Sequence, residues 1–106
     1  MEFCAIELGG EAGEVLDAVK KYIRARDNVA GNKAGVSMDM LKIAIMEEMG
    51  DVMISMDLLA RELDINLSDC VPMKFNKTSI KVGVPCFMDP VTWNTHDTFA
   101  VKARAV

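Results

Sequence analysis

Carboxylates stand inside two apolar helix patterns of this sequence. Glu11 and Glu14 lie in the stretch ELGGEAGEVLDAVKK, and Glu48 and Asp51 lie in the stretch MEEMGDVMISMDLLA. The members of each pair are three residues apart, so their side chains are neighbours on one helix face. Antiparallel packing of the two helices would bring all four acids together across one groove. A bare carboxylate in an apolar setting is costly, and a hard divalent cation with oxygen ligands removes that cost. The spacing therefore predicts a carboxylate metal site.

Two other uses of these acids are alternatives to a metal site. Surface acids commonly pair with Lys or Arg, and a single E-x-x-E on a helix is most often such a solvated face. A di-iron bundle needs Glu-x-x-His pairs in addition to glutamates, whereas the chain has one histidine, His96, in its irregular C-terminal part. Two acidic pairs embedded in consecutive apolar stripes favour the metal site over both alternatives.

Three helices should position these residues. Apolar residues recur with a period of 3.6 along residues 2–28 and along residues 38–63, where Ser37 is the expected N-cap. A third helix, capped by Asn66 or Ser68, should end near Lys81 and carry Pro72 in its opening turns. The glycines beside the acids suggest room for a close neighbour; they are Gly9, Gly10, Gly13 and Gly50. Residues 84–106 lose the periodicity and are expected to be irregular, with a short strand near 98–101.

The composition favours an all-α fold: a bundle of two long antiparallel helices and a shorter third one. Apolar residues make up 51% of the 106 residues, but aromatic residues only 6%, and there are nine methionines. Such a core suits helix-on-helix packing. The net charge of −4 argues against nucleic-acid binding, and no apolar run is long enough to span a membrane. Three widely spaced cysteines and the absence of a signal sequence predict a cytoplasmic protein with reduced thiols.

An ordered set of motifs resembles a known family. ELGGEAGEVLDAVKK, EEMGDVMISMDLLARELDINL and KFNKTSIKVG are together similar to the MazG-like nucleoside triphosphate pyrophosphohydrolases, of the all-α NTP pyrophosphatase superfamily. The similarity extends over about residues 3–83. It implies a catalytic domain at 1–83, followed by an irregular tail at 84–106.

The resemblance also implies a site and a reaction. The metal ligands would be Glu11, Glu14, Glu48 and Asp51, holding Mg²⁺, with Mn²⁺ as an alternative. Water would attack the nucleoside triphosphate to release nucleoside monophosphate and pyrophosphate, with Glu11 or Glu14 as the catalytic base. The matching basic stretch implies phosphate or sugar contacts from Lys74, Asn76, Lys77 and, more loosely, Lys81.

The short third helix leaves apolar faces uncovered, which predicts self-association as a homodimer or a tetramer. Two further functions remain open at this point. One is a non-catalytic oligomerisation or nucleotide-binding module on the same scaffold, and the other is a small metal-binding bundle with no nucleotide.

Overall fold

The computed structural model describes residues 1–97 and confirms the all-α class. Three helices make up most of this part of the chain, and two three-residue strands form one small antiparallel sheet. The elements are α1 (Glu2–Arg26), α2 (Met38–Glu62), α3 (Leu67–Val82), β1 (Cys86–Met88) and β2 (Thr95–Asp97). No helix among residues 1–97 has both the length and the apolar content that a membrane span requires.

Contacts divide the chain into two compact units. The first unit is Met1–Ile65 and contains α1 and α2, whereas the second begins at Asn66 and contains α3 with the two strands. The predicted domain at 1–83 groups α3 with the first two helices instead, and that grouping stays a prediction.

A heptad-like seam joins α1 and α2. The seam residues are half-buried or buried and recur at alternating steps of three and four; they are Cys4, Leu8, Glu11, Val15, Ala18 and Tyr22 on α1, and Leu41, Ile45, Glu48, Val52, Ser55 and Leu59 on α2. This spacing keeps one stripe of each helix against the other. The helices are antiparallel, as predicted: the Met1 amino group lies 3.9 Å from Glu62, and Lys21 and Leu41 line one cavity.

Two predicted caps set the helix starts. The Ser37 hydroxyl accepts a hydrogen bond from the Met40 N–H at 3.1 Å, and Asn66 Oδ1 accepts one from the Ser68 N–H at 3.1 Å. Each satisfies an amide that the first turn leaves without a helical partner. The caps therefore place the starts of α2 and α3 where the sequence predicts them.

The segment after α3 differs from the expected irregular tail. β1 and β2 pair antiparallel with Phe87 opposite His96, and Asp89 Oδ1 organises the connection by accepting the N–H groups of Val91 and Thr92. An Asp side chain that accepts hydrogen bonds from the backbone amides of a turn stabilises the chain reversal. The strand expected near 98–101 falls outside the described residues.

Candidate metal centre

The four acids of the two helix pairs lie together in the first unit. One carboxylate oxygen from each of the four lies within 4.8 Å of the others; the four are Glu11, Glu14, Glu48 and Asp51. Glu11 and Glu48 occupy seam positions, and the second acid of each pair follows one helical turn later. Because α1 and α2 are antiparallel, the two turns meet at the middle of the seam. The convergence predicted from spacing is therefore present in the fold.

The two seam carboxylates have oxygens without a partner. Oε2 of Glu11 and Oε2 of Glu48 are buried, and neither accepts a hydrogen bond from any residue in the described range 1–97. Glu14 and Asp51 are exposed. Buried polar atoms are nearly always satisfied, and a bound cation would satisfy these two carboxylate oxygens.

Surface ion pairing does not account for this cluster. Ion pairs within residues 1–97 join Asp17 to Lys20 and Lys21 and Asp57 to Arg61. The others join Arg26 to Asp27 and the amino terminus to Glu2 and Glu62. Over that range, none involves the four clustered acids. The alternative of a solvated, Lys- or Arg-paired face therefore finds no support here.

The pKa values of Glu11 and Glu48 are raised in this cluster. Burial raises the pKa of Glu11 above its ordinary value, and the negative charges of Glu14 and Asp51 raise it further. A hydrogen bond with the Glu14 carboxyl is the main cause of the raised pKa of Glu48, followed by burial and the neighbouring acids. Without a cation, Glu11 and Glu48 therefore keep their protons to a higher pH than isolated glutamates do.

The donor set suits a hard divalent cation. Two oxygens bound to one Mg²⁺ at about 2.1 Å can be at most roughly 4.2 Å apart, and Ca²⁺ allows roughly 5 Å. The observed spread of 4.8 Å therefore needs only small side-chain movements to enclose one ion. All four donors are carboxylates, which favours Mg²⁺, Mn²⁺ or Ca²⁺ over the softer metals. His96 lies on β2 and is absent from the cluster, so the di-iron alternative lacks its histidine ligand here.

The residues predicted to contact phosphate or sugar lie on α3 in the second unit. Lys74, Lys77 and Lys81 are exposed, and within residues 1–97 none of them forms an ion pair. Asn76 already has partners: its Oδ1 accepts the Met88 N–H at 2.7 Å and its Nδ2 donates to the Met88 carbonyl at 3.0 Å. The Asn76 amide thus fastens β1 to α3, a role that the sequence analysis missed because Met88 lies twelve residues away.

The glycines beside the acids have a different environment from the one expected. A Cβ added at Gly9, Gly10, Gly13 or Gly50 would meet no atom within 4 Å in the described chain. Neither helix of the unit approaches closely at these positions. The predicted close neighbour is therefore not α1 or α2 of the same chain.

Sequence comparison finds a phage relative. The chain is 34% identical over 77 residues to the "Gene 37 protein" of Mycobacterium phage L5, an alignment that covers 73% of this chain and 61% of the relative. The chain thus spans about three fifths of that relative's length, and the relative's name states no activity. No protein-family model matches the chain, and no solved structure matches it significantly.

Proposed function

We propose that the chain is a Mg²⁺-dependent nucleoside triphosphate pyrophosphohydrolase. One observation carries the proposal: four carboxylate oxygens from two antiparallel helices converge within 4.8 Å, and two of these acids have a buried oxygen without a partner. The resemblance of the surrounding motifs to the MazG-like enzymes supplies the reaction, and Mn²⁺ is an alternative cation.

The four acids divide into two roles. Glu11 and Glu48 lie half-buried in the seam, where helix packing limits their rotamers, so they serve as the rigid ligands. Glu14 and Asp51 are exposed, so they face the side from which a substrate phosphate and its water would arrive. When bound, Mg²⁺ neutralises charge that develops on the phosphoryl group and lowers the pKa of water. A carboxylate that the cation does not fully engage can take the proton from the attacking water, and Glu11 and Glu14 are the candidate bases.

The basic residues of α3 are proposed to hold the triphosphate. Lys74, Lys77 and Lys81 are exposed and without ion pairs in the described part of the chain, so their ammonium groups are available to the leaving pyrophosphate. Asn76 could bind the triphosphate only if its side-chain amide gave up its hydrogen bonds to the Met88 backbone. The lysines are therefore the stronger part of this assignment.

A pyrophosphate-release assay tests the proposal. Canonical and modified ribo- and deoxynucleoside triphosphates are incubated with Mg²⁺ or Mn²⁺, and the products are identified as nucleoside monophosphate and pyrophosphate. Glu48→Gln should reduce kcat at least about 100-fold, since it removes a ligand and half of the seam's charge. The matched control is Glu47→Gln, an exposed neighbour outside the cluster, which should leave turnover within about two-fold.

Two results would contradict the proposal. Equal losses from Glu47→Gln and Glu48→Gln would show that the cluster has no special part in turnover. Binding of a triphosphate without turnover would favour the alternative, a non-catalytic nucleotide-binding or oligomerisation module. The large exposed apolar surface of the helices is the observation that favours this alternative.

A further inference from the structure

A cavity lies within the first unit, where the loop between α1 and α2 meets both helices. Its volume is about 480 Å³, which is within the range of small-molecule sites in proteins. Part of its lining is apolar and part is polar; the residues that matter here are Lys21, Asn32, Lys33, Val36, Met40 and Ala44. A ligand that fits this lining has apolar faces and a polar edge.

The cavity lies on the same side of the helix pair as the four acids. Lys21 follows Glu14 by seven residues, and Ala44 precedes Asp51 by seven. Seven residues are close to two helical turns, so the members of each of these pairs share a helix face and are about 10 Å apart along the axis. This separation suits a nucleotide whose phosphates lie at the acids and whose sugar leads to a base in the cavity.

The Asn32 side chain has a buried acceptor that no group of the protein uses. Its Nδ2 donates to the Lys21 carbonyl at 2.7 Å, which fixes the orientation of the amide, because the reversed orientation would set two oxygens against each other. Its Oδ1 is buried and accepts no hydrogen bond from any residue in the range 1–97. Buried acceptors are nearly always satisfied, and an N–H group of a ligand in the cavity would satisfy this one.

The surrounding loop places a positive charge at the same cavity. Gly31 has a φ of 129°, a conformation that residues with a Cβ rarely adopt, so the glycine allows the chain to turn ahead of Asn32. The Lys21 ammonium group is engaged by Asp17 at 3.2 Å. Lys33 is exposed and forms no ion pair with any described residue, so its ammonium group is available to an acceptor on the ligand.

We propose that this cavity binds the base of the nucleotide and that Asn32 determines which base is accepted. The inference rests on the proposed function, since it takes the acids as the site of the phosphates. A base has flat apolar faces, which suit Val36 and Met40, and an edge of N–H donors and acceptors, which suits Asn32 Oδ1 and the Lys33 ammonium group. A base with no N–H opposite Oδ1 would leave a buried acceptor unpaired, and sites of this kind discriminate strongly.

Steady-state kinetics with the four common nucleoside triphosphates test the role of Asn32. The wild type should prefer one base by at least about 10-fold in kcat/KM, and Asn32→Ala should reduce this preference to within about three-fold. If Asn32 only held the loop in place, the substitution would lower kcat/KM equally for all four substrates and leave the preference unchanged.

A substitution that fills the cavity tests its occupant. Ala44→Leu should raise KM at least about 10-fold while kcat stays within about three-fold, because the base is displaced but the acids are intact. The matched control is Ala12→Leu, since Ala12 lines a separate groove with Met49 and Met53, and its replacement should leave KM within about two-fold.

A binding measurement distinguishes failure of this inference from failure of the proposed function. Methionine methyl signals of the wild type are recorded with a chelator while uridine, cytidine, adenosine or guanosine is added. At least one nucleoside should shift the Met40 signal but not that of Met73, which is 69% exposed on α3. A Met40 shift in a chain that hydrolyses no triphosphate would contradict the hydrolase and support the base site.

Three results would overturn the inference and leave the hydrolase proposal standing. They are turnover without a Met40 shift for any of the four nucleosides, a base preference that is absent from the wild type or unchanged in Asn32→Ala, and equal KM values for the wild type and Ala44→Leu.

Discussion

Glu11 and Glu48 occupy seam positions where packed helices ordinarily place Leu, Ile or Val. Their neighbours along the seam include Leu8 and Val52, and both acids have an unpartnered buried oxygen. This arrangement sacrifices stability, since the carboxylates repel one another and retain raised pKa values. Such strained polar positions inside an otherwise regular pattern are typical of functional sites.

At the residue scale, Glu48→Gln should stabilise the chain in the presence of a chelator. Because the folded state raises the pKa of Glu48 above its ordinary 4.5, folding binds protons, and wild-type stability falls as pH rises through that raised pKa. The gain in the free energy of unfolding from Glu48→Gln should be smallest at pH values below 4.5 and grow towards neutral pH. Thermal melts across this range measure it.

Glu47→Gln serves as the control for that experiment, since Glu47 lies outside the cluster and its replacement should change the melting temperature little. Added Mg²⁺ should make the wild type more stable than Glu48→Gln, because the ion binds the folded wild type more tightly. An unchanged order with Mg²⁺ would argue against the metal centre.

Individual side chains of the second unit hold its elements together. Pro72 is the sixth residue of α3 and has no N–H to donate to the Ser68 carbonyl four residues earlier. The Trp93 indole N–H donates to that carbonyl at 2.9 Å. The tryptophan thus replaces the helix bond that proline removes, which explains how the ring is tolerated in the second turn.

At the element scale, a double-mutant cycle should show that the Trp93 indole N–H takes the place of the backbone N–H that Pro72 lacks. Trp93→Phe should reduce the free energy of unfolding by about 1 kcal/mol through the lost hydrogen bond. In a Pro72→Ala background the loss should be smaller, because the new amide at position 72 can reach the same carbonyl. Urea unfolding of the four proteins measures the coupling, and strictly additive effects would contradict this account.

The clamp of Asn76 on β1 gives a second prediction at this scale. Asn76→Ala removes both hydrogen bonds to Met88 and should cost roughly 1–3 kcal/mol of stability. Asn76→Asp retains the acceptor for the Met88 N–H and should cost less. Hydrogen exchange at the Met88 amide reports the loss directly. If Asn76→Ala leaves stability unchanged but weakens nucleotide binding, Asn76 contacts the substrate as the sequence predicts.

The apolar surface is a property of the whole molecule rather than of one helix. Many large apolar side chains of α1 and α2 lie outside the seam that the two helices share, among them Leu16, Ile43 and Met46. Two helices bury only one stripe each against one another, so a helix that is apolar on several sides needs a further partner.

At the molecular scale, the midpoint of thermal unfolding should rise with protein concentration. Association stabilises the folded state by mass action, so a roughly 100-fold range of concentration should shift the midpoint measurably. Leu16→Glu should lower the midpoint at high concentration and largely remove its dependence on concentration. A wild-type midpoint independent of concentration would contradict association coupled to folding.

Local patterns in the sequence predicted the three helices and their approximate ends. The period of 3.6 indicated the first two helices, and the cap residues Ser37 and Asn66 marked the starts of the second and the third, because capping and periodicity depend on residues within a few positions. The same local spacing placed Glu11 beside Glu14 and Glu48 beside Asp51. The four clustered acids were therefore predictable as two pairs on two helices.

Only the tertiary structure determined which residues come into contact with those on each helix face. Antiparallel packing brought the two acidic pairs within 4.8 Å and left Glu11 and Glu48 with unpartnered oxygens. The Asn76 amide went to the Met88 backbone, and α3 formed a unit with strands that the sequence pattern did not indicate. These outcomes depend on contacts between residues far apart in the chain, and periodicity reports only which side of an element is apolar, not what will cover it.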